Sequence, residues 1–239
     1  MKKLLSVTLF LGIIFNSCYY PLTDESVSGN GNVIEREREV SGFHGLKVTN
    51  RIDVFLTQAD TEELLLVADE NLHEHIQTEV RDGMLRIGSD VNIRRPKELK
   101  IILKVIELDK IRISSAGDVR SENQLITEDL DISLSSAGDL KLHVAATTID
   151  CNISSSGDVT LWGNTDKLIA DLSSAGDLHA FDLIARTVKV DVSSAGDAEV
   201  HATDEIEMNA SSAGDIRYRG NARVVKSHTS SAGSIKKVD

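Results

Sequence analysis

The sequence predicts an all-β fold, namely a single-stranded right-handed parallel β-helix with an irregular N-terminal β cap. Two observations lead to this prediction. The phrase Ser-Ser-Ala-Gly-Asp recurs through the second half of the chain at a nearly constant spacing, and apolar residues alternate with polar ones around each copy. A period near twenty residues is typical of a solenoid, in which each repeat buries its apolar face against the next one.

Seven copies of the phrase occupy residues 111–239, with Ser156 in place of Ala in the third copy and Ser234 in place of Asp in the last. Their glycines are the most regular landmark, with spacings of 18 to 21 residues. They are Gly117, Gly138, Gly157, Gly176, Gly196, Gly214 and Gly233. A leucine-rich repeat has a similar period, but its Leu/Asn consensus and helical limb are absent from this sequence.

The residues on either side of each phrase are predicted to form β-strands, because apolar residues recur at every second position, as at Leu130, Ile132 and Leu134. The same parity runs through the phrase itself. It predicts that the second Ser and the Gly point inward while the Ala and the Asp point outward. Successive coils would pair in parallel, and parallel crossovers are overwhelmingly right-handed.

Each phrase is explained most simply as a corner of the coil. Glycine permits a positive φ, and the aspartate can accept hydrogen bonds from amides of its own turn. The repeated aspartates would form an outward ladder of mutually repelling carboxylates. Its members are Asp53, Asp118, Asp139, Asp158, Asp177, Asp197 and Asp215. No metal site or cofactor is predicted, but Ca²⁺ on this ladder is an alternative, because Ca²⁺ accepts carboxylate oxygens in loose geometry.

The first 17 residues predict a lipoprotein signal peptide, since Lys2 and Lys3 precede a short apolar run that ends before Cys18. Acylation of Cys18 would attach the protein to a membrane. Tyr19 after the cysteine favours an outer-membrane lipoprotein of a Gram-negative envelope, on the cell-surface or the periplasmic side. Residues 18–32 are predicted to be a flexible tether.

Residues 33–110 predict the irregular cap. The segment from Thr49 to Val54 aligns with Ser-Ser-Ala-Gly-Asp-Val, so a degenerate repeat is expected there. Asp82 and Gly83, between two alternating apolar runs, predict a two-residue hairpin.

Composition excludes other classes of protein. The formal net charge of −12 becomes −14 once the signal lysines are removed, which makes nucleic-acid binding improbable. Only Cys151 remains besides Cys18, so a disulfide framework is excluded and a buried, inert thiol is expected.

The segments around Val40–Phe43, Ile52–Val54 and Ala68–Leu72, the Asp82-Gly83 hairpin and the Ser-Ser-Ala-Gly-Asp repeats together resemble one family. It is the putative auto-transporter adhesin head GIN domain family of envelope lipoproteins, and the resemblance covers residues 33 to 238. It implies a β-helical domain with an adhesin-like role and no catalytic residues to transfer.

The residues favour a non-enzymatic binding or scaffold protein, with a glycan or an envelope or host protein as ligand. A column of candidate residues lies four positions after each Asp. It comprises Glu122, His143, Trp162, Phe181, His201 and Arg219. Trp162 and Phe181 would be stacked neighbours on the surface, or both rings would turn into the core.

Two alternatives remain at this point. Some β-helices degrade polysaccharides, although such a site needs a non-repeating cluster of carboxylates and the sequence shows none. A lipid- or small-ligand-binding lipoprotein is the other. Flat polar coils could also stack between chains, so a homo-oligomer is a further hypothesis.

Overall fold

The computed structural model describes residues 25–239, which form nineteen strands and one 3-10 turn at Glu70–Leu72. The predicted signal peptide, Cys18 and the first part of the tether lie outside the described residues. The strands of the first half are β1 Ser26–Ser28, β2 Val33–Arg38, β3 Gly45–Thr49, β4 Asp53–Gln58, β5 Glu63–Asp69, β6 Ile76–Arg81, β7 Met84–Ser89, β8 Asn92–Arg94 and β9 Leu99–Val105. Those of the second half are β10 Lys110–Ser114, β11 Val119–Ser121, β12 Leu125–Leu134, β13 Asp139–Ile153, β14 Asp158–Leu172, β15 Asp177–Ser193, β16 Asp197–Ser211, β17 Asp215–Arg219, β18 Arg223–Thr229 and β19 Ser234–Lys237.

The second half is a solenoid of parallel coils, as predicted. Each long strand from β13 to β16 follows a coil past its middle corner. The strand segments before these corners and those after them line two sides of the solenoid, which we call its two sheets, although hydrogen bonds connect all of them into one network. Residues pair with the equivalent positions of the next coil, for example Leu140 with Val159 and Leu178 with Ala198. The sequence period therefore equals the length of one winding. The right hand of the coil stays a prediction.

The alternating apolar residues build one continuous core between the two sheets. On β13, Leu140, Leu142 and Val144 are buried before the middle corner and Ile149, Cys151 and Ile153 after it. The parity changes between these two sets, because the chain turns at the corner formed by residues 145–148. Burial raises the pKa of the Cys151 thiol to about 12, in agreement with the expected inert thiol.

The corners differ from prediction in the position of their strained residue. None of the seven corner glycines has a positive φ; instead φ is +74° at Ser174 and +73° at Ser194, the second serine of the phrase. These second serines are exposed or half-buried, so their predicted inward orientation is wrong. The local turn inverts the direction of the serine side chain, and parity alone could not show this.

The glycines are needed for stacking. They lie against the backbone of the preceding coil, and a Cβ on Gly157 would come within 2.6 Å of the Ser136 carbonyl oxygen. A Cβ on Gly138 would meet the carbonyl oxygens of Gly117 and Ser115 at the same distance. Any larger residue would therefore separate neighbouring coils.

The first half adds coils in an order that differs from the order along the chain. The coil of β3 and β4 lies between β7 and β9 on one side and β10 and β11 on the other. Thr49 pairs with Ser114 and Val54 with Val119, so the predicted degenerate repeat occupies a regular coil. The cap itself comprises β5, β2 and β6, which add antiparallel strands beyond β9 and β7.

Two local predictions have clear outcomes. Asp82 and Gly83 form the two-residue loop of the β6–β7 hairpin, each with a positive φ, as a type I′ turn requires. The predicted tether is ordered at its end, because β1 pairs with β8 and the buried Asp69 carboxylate accepts a hydrogen bond from the Gly31 amide. The ordered chain therefore begins before Val33. Within residues 25–239 we find no helical segment with the length and hydropathy of a membrane span.

Candidate binding surface

The outward side of the sheet that follows each corner carries the predicted candidate residues. We call this surface the ladder face; it comprises the outward side chains of β4 and β11 and those of segments 139–143, 158–162, 177–181, 197–201 and 215–219. The strands position these side chains because their inward neighbours, such as Val159 and Leu161, are anchored in the core. Three columns run along the rod, at the Asp and at two and four residues beyond it.

The first column is the aspartate ladder. Asp139, Asp158, Asp177, Asp197 and Asp215 pair directly from coil to coil. Asp118 continues the row toward the cap, because β11 pairs with β13 on one side and with β4 on the other, which brings in Asp53. Asp53 in turn lies opposite Lys100. The carboxylates therefore form one row along the rod, half-buried or exposed, that ends at a lysine.

The ladder carries electrostatic strain. Burial, followed by repulsion from Asp139 and Asp177, raises the pKa of Asp158. Burial and then Asp118 raise the pKa of Asp53. For Asp197 burial is again the main cause of a raised pKa, while Arg217 opposes the shift. The expected hydrogen bonds from the amides of its own turn to each Asp carboxylate are largely absent among residues 25–239. The Asp177 carboxylate instead accepts one from the Asp197 amide of the next coil, at 3.1 Å, and a backbone hydrogen bond from Asp118 partly offsets the raised pKa of Asp53.

Among residues 25–239, no three His, Cys, Asp or Glu side chains are arranged to hold a metal ion. This applies to the aspartate ladder as well, so a Ca²⁺ site there remains a hypothesis without geometric support.

The third column contains the predicted aromatic residues, in a different pairing. The rings of His143 and Trp162 are stacked, with centroids 5.7 Å apart and planes inclined by 12°. Among residues 25–239 no ring stacking joins Phe181 to Trp162, and the register between β14 and β15 shifts between Thr160 and Gly163. Both rings are half-buried on the outside, so neither belongs to the core.

Phe181 forms a second cluster with the next two coils. The guanidinium of Arg219 lies 4.1 Å from the Phe181 ring centroid, and the His201 Nδ1 is 3.3 Å from the Phe181 carbonyl oxygen. The structure thus brings the candidate residues together in two clusters, one across two coils and one across three, rather than as one platform. Glu122, the first member of the column, forms an ion pair with Arg120.

A small cleft at the cap end of the ladder face was not predicted from the sequence. The Arg120 guanidinium covers the Phe55 ring at 3.8 Å, and Asp53, Asp118 and Lys141 complete a depression of about 90 Å³. The internal repeats contained a signal for this cleft, because Phe55 and Arg120 both lie two residues beyond a ladder aspartate. This second column also contains His179, whose Nδ1 lies 3.2 Å from the Glu199 carboxylate in the next coil.

The arrangement suits recognition by stacking and hydrogen bonding. Half-exposed rings offer flat apolar surface, and carboxylates, imidazoles and guanidinium groups beside them can hydrogen-bond to a polar ligand. The same chemistry recurs in successive coils, so the surface can contact an elongated ligand that lies along the rod.

Comparison with known proteins gives the following matches. Residues 42–222 match the family model described as "Putative auto-transporter adhesin, head GIN domain". A solved structure of a putative adhesin from Bacteroides fragilis is similar at 26% identity and a TM-score of 0.79, over 89% of this chain and 100% of that one. A putative adhesin from Parabacteroides distasonis is 25% identical with a TM-score of 0.73, over 90% of this chain and 100% of that one.

A third solved structure, described as a putative lipid binding protein from Parabacteroides distasonis, is 24% identical. Its TM-score is 0.74, over 90% of this chain and 100% of that one, and it supports the fold alone. Among curated proteins none matches this chain significantly.

Proposed function

Since the chain belongs to the putative auto-transporter adhesin, head GIN domain family, we propose that it is a lipid-anchored envelope β-solenoid that binds a glycan or protein ligand without chemistry of its own. The observation that carries this proposal is the ladder face, where stacked rings and ionisable side chains remain accessible on a rigid rod. The putative adhesins of similar fold support an adhesin-like role.

A non-enzymatic role is favoured by the repetition of the site. A catalytic centre needs particular groups in one place, such as a carboxylate pair of unequal pKa. On the ladder face the carboxylates recur in every coil from β13 to β17. Repetition suits a binding surface on which each coil makes similar contacts with little specificity of its own. The contact area then adds up from coil to coil.

A lipid-binding role, suggested by the description of one structural neighbour, finds less support in the packing. The space between the two sheets is filled by the side chains of the continuous core. A lipid would therefore have to bind on the outside of the rod. Incubation with labelled fatty acids followed by gel filtration distinguishes this alternative, because an adhesin-like rod should elute without the label.

The binding proposal is tested with a soluble protein that lacks residues 1–17 and has Cys18 replaced. It is applied to an array of glycans and extracellular-matrix proteins. We expect a discrete set of ligands whose binding is lost in Trp162→Ala and retained in Ile126→Ala, a matched variant at an exposed residue outside the ladder face. If Trp162→Ala lowers stability but leaves every binding and self-association signal unchanged, the ladder face is not the binding surface.

The lipid anchor is a separate proposal, which places the mature protein on the outer membrane of a Gram-negative envelope. Cells that express the full chain should incorporate labelled palmitate into the protein, and Cys18→Ser should abolish the label. Cys151→Ala is the matched control, because Cys151 is fully buried and should not be acylated. Label that persists in Cys18→Ser would contradict the anchor.

A further inference from the structure

The end of the rod formed by β18 and β19, which we call the terminal coil, differs in charge from the rest of the molecule. Residues 223–239, which include both of these strands, contain four Lys and Arg against one Asp, a formal charge of +3, whereas residues 25–222 contain 20 basic and 36 acidic residues, a formal charge of −16. The basic residues are Arg223, Lys226, Lys236 and Lys237. An acidic rod therefore ends in a basic tip.

The terminal coil also has free backbone edges. Within residues 25–239, β18 pairs only with β16 and β19 only with β17. All seven residues of β18 are exposed, including Val224 and Val225, each 43% exposed. Each strand therefore presents a row of amide and carbonyl groups without a strand partner, to which a further strand can add.

The inward side of the terminal coil combines polar and apolar residues. Ser227 and Thr229 lie over the buried Met208 and Ala210, whereas Val224 pairs with the buried Ile206 and remains 43% exposed. The exposed apolar surface is therefore limited to a few side chains, while backbone hydrogen bonds and charge are available along the edge.

The three lysines of the terminal coil supply that charge. Arg217 and Arg223 form ion pairs with acidic residues of the preceding coil, at Glu199 and Glu205. Lys226, Lys236 and Lys237 have no ion-pair partner among residues 25–239. Edge lysines disfavour pairing with another basic edge, including the same end of a second copy, and favour an acidic one.

We infer that the terminal coil binds an extended, acidic polypeptide segment, which adds as a strand to the edge of β18. An anionic polysaccharide or an anionic membrane would complement the charge, but neither has the regularly alternating amide and carbonyl groups that continue a strand ladder along the edge. The chain enters at the opposite end of the rod, where β1 pairs with β8 in the cap half. On the proposed lipid-anchored protein, the terminal coil is thus the end remote from the tether.

The test uses the soluble protein and blocked heptapeptides of alternating Glu and Val or Thr. The first peptide is unmodified, the second carries N-methyl groups on alternate residues, and in the third Lys replaces Glu. We expect the unmodified acidic peptide to bind, the N-methylated one to bind about tenfold more weakly or worse because its edge hydrogen bonds are lost, and the basic one not to bind. The affinity of the acidic peptide should fall as salt is raised.

The matched protein variants carry equal changes of charge. The triple variant Lys226→Glu, Lys236→Glu, Lys237→Glu should weaken binding at least tenfold. The control, with Arg94→Glu, Arg95→Glu and Lys167→Glu, should not.

Equal binding of the plain and N-methylated peptides, equal affinity for polygalacturonate or phosphatidylglycerol vesicles, or absence of binding would each overturn the inference. Array binding through Trp162 should survive the terminal-coil variant, so the two proposals fail independently.

Discussion

Replacement of Asp158 by Asn should stabilise the protein at neutral pH. Asp158 lies between Asp139 and Asp177, and its carboxylate accepts no hydrogen bond within residues 25–239. Strands about 4.8 Å apart bring neighbouring carboxylates close enough to repel by about 0.9 kcal/mol each in water. Screening at physiological salt roughly halves this value, so removal of one charge between two neighbours should contribute about 1 kcal/mol.

The effect should depend on pH in a defined direction. The pKa of Asp158 is raised above 3.8 in the folded protein, so the folded state favours the protonated form. The stability linked to this shift is fully present below pH 3.8 and is lost as pH rises through the folded-state pKa. Asp158→Asn removes that loss, so its advantage over the wild type should grow with pH and disappear in acid.

The assay is thermal unfolding at low and high salt, with Asp129→Asn as the matched control. Asp129 is exposed, and its carboxylate has no hydrogen bond or ion pair within residues 25–239. For a chain of this size, 1 kcal/mol corresponds to roughly 2–4 °C in Tm. A lower Tm for Asp158→Asn at neutral pH, or a gain equal to that of Asp129→Asn and independent of salt, would refute the account of the ladder.

Other predictions concern the corner, the cap and the core. Gly157→Ala should destabilise the protein by about 1–3 kcal/mol in denaturant unfolding, since the added Cβ would lie 2.6 Å from a backbone oxygen. The control Ser156→Ala, at the exposed neighbouring position, should be nearly neutral. Equal losses of stability in the two variants would contradict the role of Gly157 in stacking. Burial lowers the pKa of His73, so the free energy of unfolding should fall as pH drops below 6.5. His73→Gln should remove part of that pH dependence. If the free energy of unfolding depends on pH equally in the variant and the wild type, His73 is not responsible for it. Cys151 should react with a thiol reagent only as fast as the protein unfolds, since its pKa is about 12; fast labelling of folded protein would contradict its burial.

The winding of the chain was predictable because a solenoid repeats one local solution. Period, alternation and corner residues all agree in each copy, and the pairing of Leu140 with Val159 follows directly from the spacing. The Asp82-Gly83 hairpin was predictable for the same reason, since its turn depends on two adjacent residues. These features need no information from distant parts of the chain.

The reasons behind individual positions were harder to infer. The corner glycine was expected to supply a positive φ, but the second serine of the phrase does so in five of the seven copies, and the glycine is needed because another coil passes within contact distance. Similarly, Trp162 stacks on His143 and not on Phe181, where β15 has one more residue than β14 between the pairs Thr160–His179 and Gly163–Leu183. Each outcome depends on a neighbour in the next winding.

Local and repeated properties, namely the period, the alternation and the aspartates, were enough to predict β coils of about twenty residues with acidic corners. The position of the β3–β4 coil between two later coils, and the choice of side chains that meet across the ladder face, depend instead on tertiary contacts. Degenerate strands of similar length can stack in several orders with the same alternation. The choice among those orders depends on how side chains and backbone fit across the whole core, and no single segment contains that information.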